Sequence, residues 1–121
     1  MNISIAGTGY VGLVTGVCLA ESGHHVTCVD VDSYKISAMQ QGKSPIYEPG
    51  LEELMKKNAI RLTYTTDYIS AYRHADVIFI GVGTPEKKDG SANLSYVYQV
   101  ASQIAETVEN DCVIVIKSTV P

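Results

Sequence analysis

The most specific chemistry in the chain starts at three glycines. Gly7, Gly9 and Gly12 stand in GTGYVG, directly after a β-branched run and directly before a run of helical period. That spacing suits an anion. The first glycine allows a tight turn, the second lets a phosphate reach the backbone without meeting a Cβ, and the third lets helix and strand pack closely. N–H groups near Tyr10, Val11 and Gly12 then point at the anion, reinforced by roughly half a positive charge at the helix end. Asp30 follows eighteen residues after Gly12, at the close of the expected second strand. A carboxylate there accepts the hydroxyls of an adenosine ribose and repels a 2′-phosphate. NAD is therefore favoured over NADP, although Lys35 offsets part of the repulsion.

Two threonines are further candidates. Thr84 lies in GVGTP and Thr119 in KSTVP, each after an apolar strand-like run. Both are placed at the carboxyl edge of a sheet, next to the reversal of strand order where ligands bind in open α/β folds. Their hydroxyls serve either a ribose, an amide or a water, or simply cap a turn.

The elements that position these groups alternate between strand and helix, the pattern of βαβ units on a parallel sheet. The first strand is expected over Asn2 to Ala6, followed by a helix from about Val11 to Ser22 that is apolar nearly all round and so expected to be buried. Gly23 caps that helix, and His25 to Val31 forms the second strand. Asp32 or Ser33 caps a helix over Tyr34 to Gln41. The two prolines of KSPIYEPG make Lys43 to Gly50 a loop. A short helix over Leu51 to Asn58, a strand over Arg61 to Tyr64 and a helix from Asp67 to about Arg73 come next. Asp76 to Val82 is an unbroken apolar run expected of a strand covered on both faces. Beyond the polar turn Thr84 to Asn93, the spacing of Leu94, Val97, Ala101, Ile104 and Val108 predicts a helix of about four turns. Cys112 to Lys117 is the fifth strand.

Composition removes other classes of function. The 121 residues suit one domain. A content of 45% hydrophobic and 18% charged residues is too apolar for a disordered tail. The net charge of −4 and the lack of a basic run speak against a nucleic-acid partner. Cys18, Cys28 and Cys112 are widely spaced in apolar surroundings and are read as inert core thiols in a reducing compartment. His24, His25 and His74 lack the partners of a metal cluster, so no metal is expected. Residues Met1 to Ala20 carry no charge. Four glycines interrupt them and no positive segment precedes them, so they are read as strand and helix rather than as a leader or a membrane span. A cytoplasmic location is expected.

Five segments in order, GTGYVGLVTG, VDVDSYKI, SPIYEPGLEEL, VGTP and KSTVP, resemble the N-terminal domain of the UDP-glucose/GDP-mannose dehydrogenase family, and the UDP-glucose 6-dehydrogenases within it. The resemblance runs along the whole chain, 1–121. It implies a Rossmann-type doubly wound sheet, here ending after its fifth strand, with order 3-2-1-4-5-6 in the complete fold. It also implies a two-step oxidation of a nucleotide sugar's C6 alcohol to a carboxylate, with two NAD reduced and UDP-glucuronate supplied to polysaccharide synthesis. By matching position, Gly7, Gly9, Tyr10, Val11 and Gly12 are implied at the pyrophosphate and Asp30 and Lys35 at the adenosine ribose. Gly83 and Thr84 approach the cofactor, and Thr119 sits near the nicotinamide and helps hold an active-site water. Tyr47 and Glu48 are treated as structural. The family's cysteine nucleophile, its sugar-binding domain and the helix through which such enzymes usually dimerise come from sequence beyond this chain. The chain is therefore expected to bind NAD without turning over substrate, and to self-associate through its uncovered fifth strand. Oxidation of GDP-mannose or a UDP-N-acetylhexosamine, and a stand-alone dinucleotide-binding module, remain as alternatives.

Overall fold

A computed structural model describes residues 1–117, and Thr119 lies outside the described residues. Strand β1 (Asn2–Ala6) leads into helix α1 (Tyr10–Glu21), then β2 (His25–Val29), α2 (Ser33–Gln40) and α3 (Leu51–Lys57). The chain continues through β3 (Leu62–Thr65), α4 (Tyr68–Arg73), β4 (Val77–Ile80), α5 (Ser95–Thr107) and β5 (Val113–Ile116). These strands form one parallel sheet in the order β3-β2-β1-β4-β5. The order reverses between β1 and β4, which opens a crevice at the carboxyl ends of those strands. The expected α/β, Rossmann-type fold is what the chain adopts.

Side-chain alternation along β1 divides the core into two layers. Ile3 and Ile5 pack with Leu13, Val17, Met39 and Met55 on the α1, α2 and α3 side. Ala6 packs with Tyr72, Ile78, Ile80 and Val100 on the α4 and α5 side. Ser4 is buried on that second face, and its hydroxyl donates to the Ala71 carbonyl, so the polar group costs little. Asp32 caps α2 by accepting from the amides of Tyr34 and Lys35, and Asp67 caps α4 by accepting from those of Ile69 and Ser70.

Helix α1 departs from expectation. Only its glycine-bearing face, Gly12, Leu13, Gly16, Val17 and Ala20, is buried. Val11 and Cys18 are exposed, because one sheet can cover one face of a helix and nothing among the described residues covers the other. Cys18 is therefore not a core thiol. The second strand ends at Val29 rather than Val31, since the chain turns at Asp30 and leaves Val31 89% exposed. In α5 the core face is Val97, Val100 and Ile104, and Ala101 is exposed. Val100 and Ala101 complete equally good helical stripes with Val97 and Ile104, and Val100 is the one buried because it packs in the layer that holds Ala71 and Tyr72 of α4. Strand β4 is four residues long, shorter than the apolar run that contains it. No helix of the described residues is long and apolar enough to cross a membrane.

The tightest packing lies where α1 crosses β1 and β4. A Cβ on Gly12 would sit 2.1 Å from the Gly7 carbonyl oxygen, and one on Gly81 would sit 3.2 Å from the Gly12 Cα. Both obstacles are backbone. Gly12→Ala is expected to lower the unfolding free energy by about 3 kcal/mol or more, at the upper end of overpacking costs. A urea titration measures it, and an unchanged midpoint would contradict the close crossing.

Candidate functional site

The crevice at the switch point has a volume of about 610 Å³. Its walls include Gly7, Gly9, Tyr10, Val11, Asp30, Lys35, Gly83 and Thr84. The sequence-predicted group is thus brought together, with the buried Gly12 beneath it at the helix crossing.

Gly7 turns the chain with φ +97°, a region that L side chains rarely adopt. Gly9 is the N-cap of α1 and has no side chain to satisfy the first-turn amides, and that turn carries no acidic residue. A Cβ placed on Gly9 would meet nothing within 4 Å. Here the glycine leaves an open cradle in front of the helix's positive end, which is the arrangement a diphosphate needs. The residues fit the cofactor implied by the sequence.

Asp30 stands across the crevice, half-buried, and is held by a residue that sequence reasoning missed. Its Oδ2 accepts from the Thr8 amide at 3.0 Å and from the Thr8 hydroxyl at 2.6 Å, while its Oδ1 accepts from the Asp32 amide at 2.9 Å. Thr8 is fully buried. Burial pushes the Asp30 carboxyl up, but the Thr8 hydroxyl, the Asp32 and Thr8 amides and the Lys35 charge outweigh it and hold the group below its ordinary value. The carboxylate is thus ionised, oriented and able to receive hydroxyl donors. A hydroxyl between Gly7 and Gly9 was the available signal for Thr8, since the G-x-G spacing leaves the residue at that position unspecified.

Two more contacts escape a reading of the sequence. Glu48, set aside as structural, reaches the glycine loop: its hydrogen bond to the Tyr10 hydroxyl, with its charge, raises the Tyr10 phenol above its ordinary value. Tyr47 beside it is exposed. On the far wall, Tyr96, Gln99 and Gln103 of α5 and Lys117 after β5 line the same crevice. The thiols stand apart from this chemistry. Burial pushes the Cys28 thiol up to about 12, and Cys112 is raised first by burial and then by the nearby Asp76 charge.

A parallel sheet with its glycine loop and acidic partner at the switch point defines a dinucleotide-binding domain of a dehydrogenase. Residues 1–121 match the NAD-binding domain of the UDP-glucose/GDP-mannose dehydrogenase family, and the chain belongs to it. NAD is the cofactor of that domain. The chain is 58% identical over its whole length to the UDP-glucose 6-dehydrogenase YwqF of Bacillus subtilis and 52% identical to a UDP-glucose 6-dehydrogenase of Rhizobium meliloti. It spans 28% of each of those relatives. Among solved structures, a GDP-mannose dehydrogenase of Pseudomonas aeruginosa superimposes with a TM-score of 0.94 at 46% identity, over 99% of this chain and 29% of that one. A UDP-glucose dehydrogenase of Pyrobaculum islandicum follows with 0.91 at 38% identity, over 98% and 29%.

Because the folded-state value of Asp30 is lowered, its ionised form contributes stability above the ordinary carboxylate range and loses it as pH falls through the folded value. Thr8→Val removes the hydroxyl donor at nearly constant volume, so the Asp30 midpoint is expected to rise. Carboxyl NMR titration reads it, and an unmoved midpoint would mean that Thr8 does not hold the charge.

Proposed function

We propose that the domain binds NAD for a nucleotide-sugar dehydrogenase that oxidises the C6 alcohol of UDP-glucose to the carboxylate of UDP-glucuronate in two steps. The observation that carries the cofactor half is the pairing of an open, uncapped helix end at Gly9 with the oriented Asp30 carboxylate across one crevice. Bound NAD supplies the hydride acceptor. The chain's own residues hold it: the amides near Tyr10, Val11 and Gly12 take the diphosphate, and Asp30 with Lys35 takes the adenosine ribose. Gly83 and Thr84 flank the nicotinamide half, and Thr119 keeps its proposed place near an active-site water.

The choice of UDP-glucose rests on the names of the relatives, 58% and 52% identical. The likeness to a GDP-mannose dehydrogenase at a TM-score of 0.94 supports the second reading. The two substrates differ in both the nucleotide base and the sugar, so turnover of each nucleotide sugar by the full-length protein decides between the readings. A role in polysaccharide synthesis in the cytoplasm fits the first reading.

Self-association is proposed at β5. It is the edge of the sheet, paired with β4, and Val113, Ile114 and Ile116 expose apolar side chains on both of its faces. The full-length enzyme is proposed to be a homodimer. Light scattering of the 121-residue chain is expected to show mass rising with concentration and Ile114→Lys to suppress it; a monomer at every concentration would contradict the proposal.

Asp30→Ala is expected to weaken NAD by about 1.5 to 3 kcal/mol, the usual worth of hydrogen bonds to a charged group. Calorimetry measures it. Unchanged affinity would remove Asp30 from the site and with it the basis of the cofactor assignment.

A further inference from the structure

Past Asp30 the crevice continues along the face of the sheet that α4 and α5 cover. Tyr72 and Val100 from the apolar layer line it there, and Val31 stands opposite, almost fully exposed. An apolar slot beside a ribose-binding carboxylate suits the flat face of a purine. Its outer wall carries two carboxamides. Gln99 and Gln103 are four residues apart on α5, so they lie on one helix face, and both line the crevice. Neither side-chain amide is engaged by another group among the described residues. The crevice's charged lining residues are Asp30, Lys35 and Lys117, so the α5 wall itself is neutral and selects by hydrogen-bond pattern rather than by charge.

A carboxamide places an N–H donor beside a carbonyl acceptor. Adenine presents the complement along its amino edge, where the 6-amino group donates and the adjacent ring nitrogen accepts. A purine with a carbonyl at C6 offers two acceptors to the same groups on its N7 side and leaves the glutamine oxygen unmatched, which is costly in a partly desolvated slot. We propose that Gln99 and Gln103 read the amino edge of the adenine, which makes this face of α5 the determinant of base specificity in the cofactor site. The inference rests on the reading of Asp30 as the ribose anchor, since that fixes where the base begins. It assigns to α5 a binding role beside its packing role, which Val97, Val100 and Ile104 perform on the adjoining face, with Val100 at the border of the two.

The test compares NAD with the analogue in which hydrogen replaces the 6-amino group of the adenine, each titrated calorimetrically into the 121-residue chain. The chain is expected to bind NAD more tightly by about fivefold to a hundredfold, the usual discrimination of a bidentate amide–base pair. The Gln99→Leu/Gln103→Leu variant is expected to bind both dinucleotides alike, at the level of the analogue. The single variants divide the effect between the two positions, and Gln103→Glu, which keeps an acceptor for the amino group, is expected to retain part of the preference. Thermal melts confirm that each variant is folded. Asp30→Ala is expected to weaken both dinucleotides by one factor and leave their ratio unchanged, which separates the ribose contact from the base contact. Equal binding of the two by the unmodified chain, or a preference that survives in the double variant, would overturn the assignment of α5. Failure of both dinucleotides to bind the unmodified chain would overturn the NAD reading and this inference together.

Discussion

Three backbones meet without side chains between them, and the remainder of the site depends on that meeting. The Gly7 carbonyl stands where a Cβ of Gly12 would go, and the Gly81 backbone comes within 3.0 Å of where a Cβ of Gly7 would be. Contact of this kind fixes the start of α1 against the ends of β1 and β4 to within a few tenths of an ångström, because no rotamer is available to absorb a shift. The diphosphate cradle is a consequence. Gly9 is free of neighbours because Gly7 and Gly12 are crowded by theirs, so glycines of one motif serve opposite needs.

The same crossing brings the electrostatics into register. Thr8 sits between two of the crowded positions, and its burial aims both its amide and its hydroxyl at the end of β2. Three of the roughly four acceptor directions of the Asp30 carboxylate are thereby filled. One direction stays free for a ribose hydroxyl, and a second hydroxyl must share. Such a carboxylate is already oriented before ligand arrives, so little conformational entropy is lost on binding. Lys35 completes the arrangement by placing a cation near the negative group without bonding to it.

What the sequence made legible was local. β1 spans Asn2–Ala6 as expected, Asp32 and Asp67 cap their helices, and the glycine loop, Asp30 and Thr84 converge because strand, turn and helix signals are all short-range. What it hid was set by tertiary contact. An all-apolar α1 looks buried on every side, yet the sheet covers only its glycine face and Cys18 is left outside. Ala101 and Val100 are adjacent, and which of them faces the core depends on where α4 lies. Gln99 and Gln103 carry no motif, so only the path of α5 along the crevice gives them meaning. Glu48 meets Tyr10 across thirty-eight residues of sequence, a pairing that no spacing rule anticipates.

The balance of charge explains why so much of the site is built from backbone. The chain is acidic, with a net charge of −4, and a dinucleotide is also an anion, so the long-range field of the domain opposes binding. Attraction therefore has to be short-range. Amides at a helix end provide it without a mobile cation whose hydration must be removed, and they act across a few ångströms where salt screens little. Lys35 and Lys117 add positive charge only at the crevice walls. The thiols, by contrast, are kept from ionising wherever they are buried, with Cys28 at about 12, so the described residues supply grip and orientation rather than a nucleophile. A site organised in this way holds a dinucleotide by fixed backbone and an oriented carboxylate, so little has to rearrange when the ligand arrives.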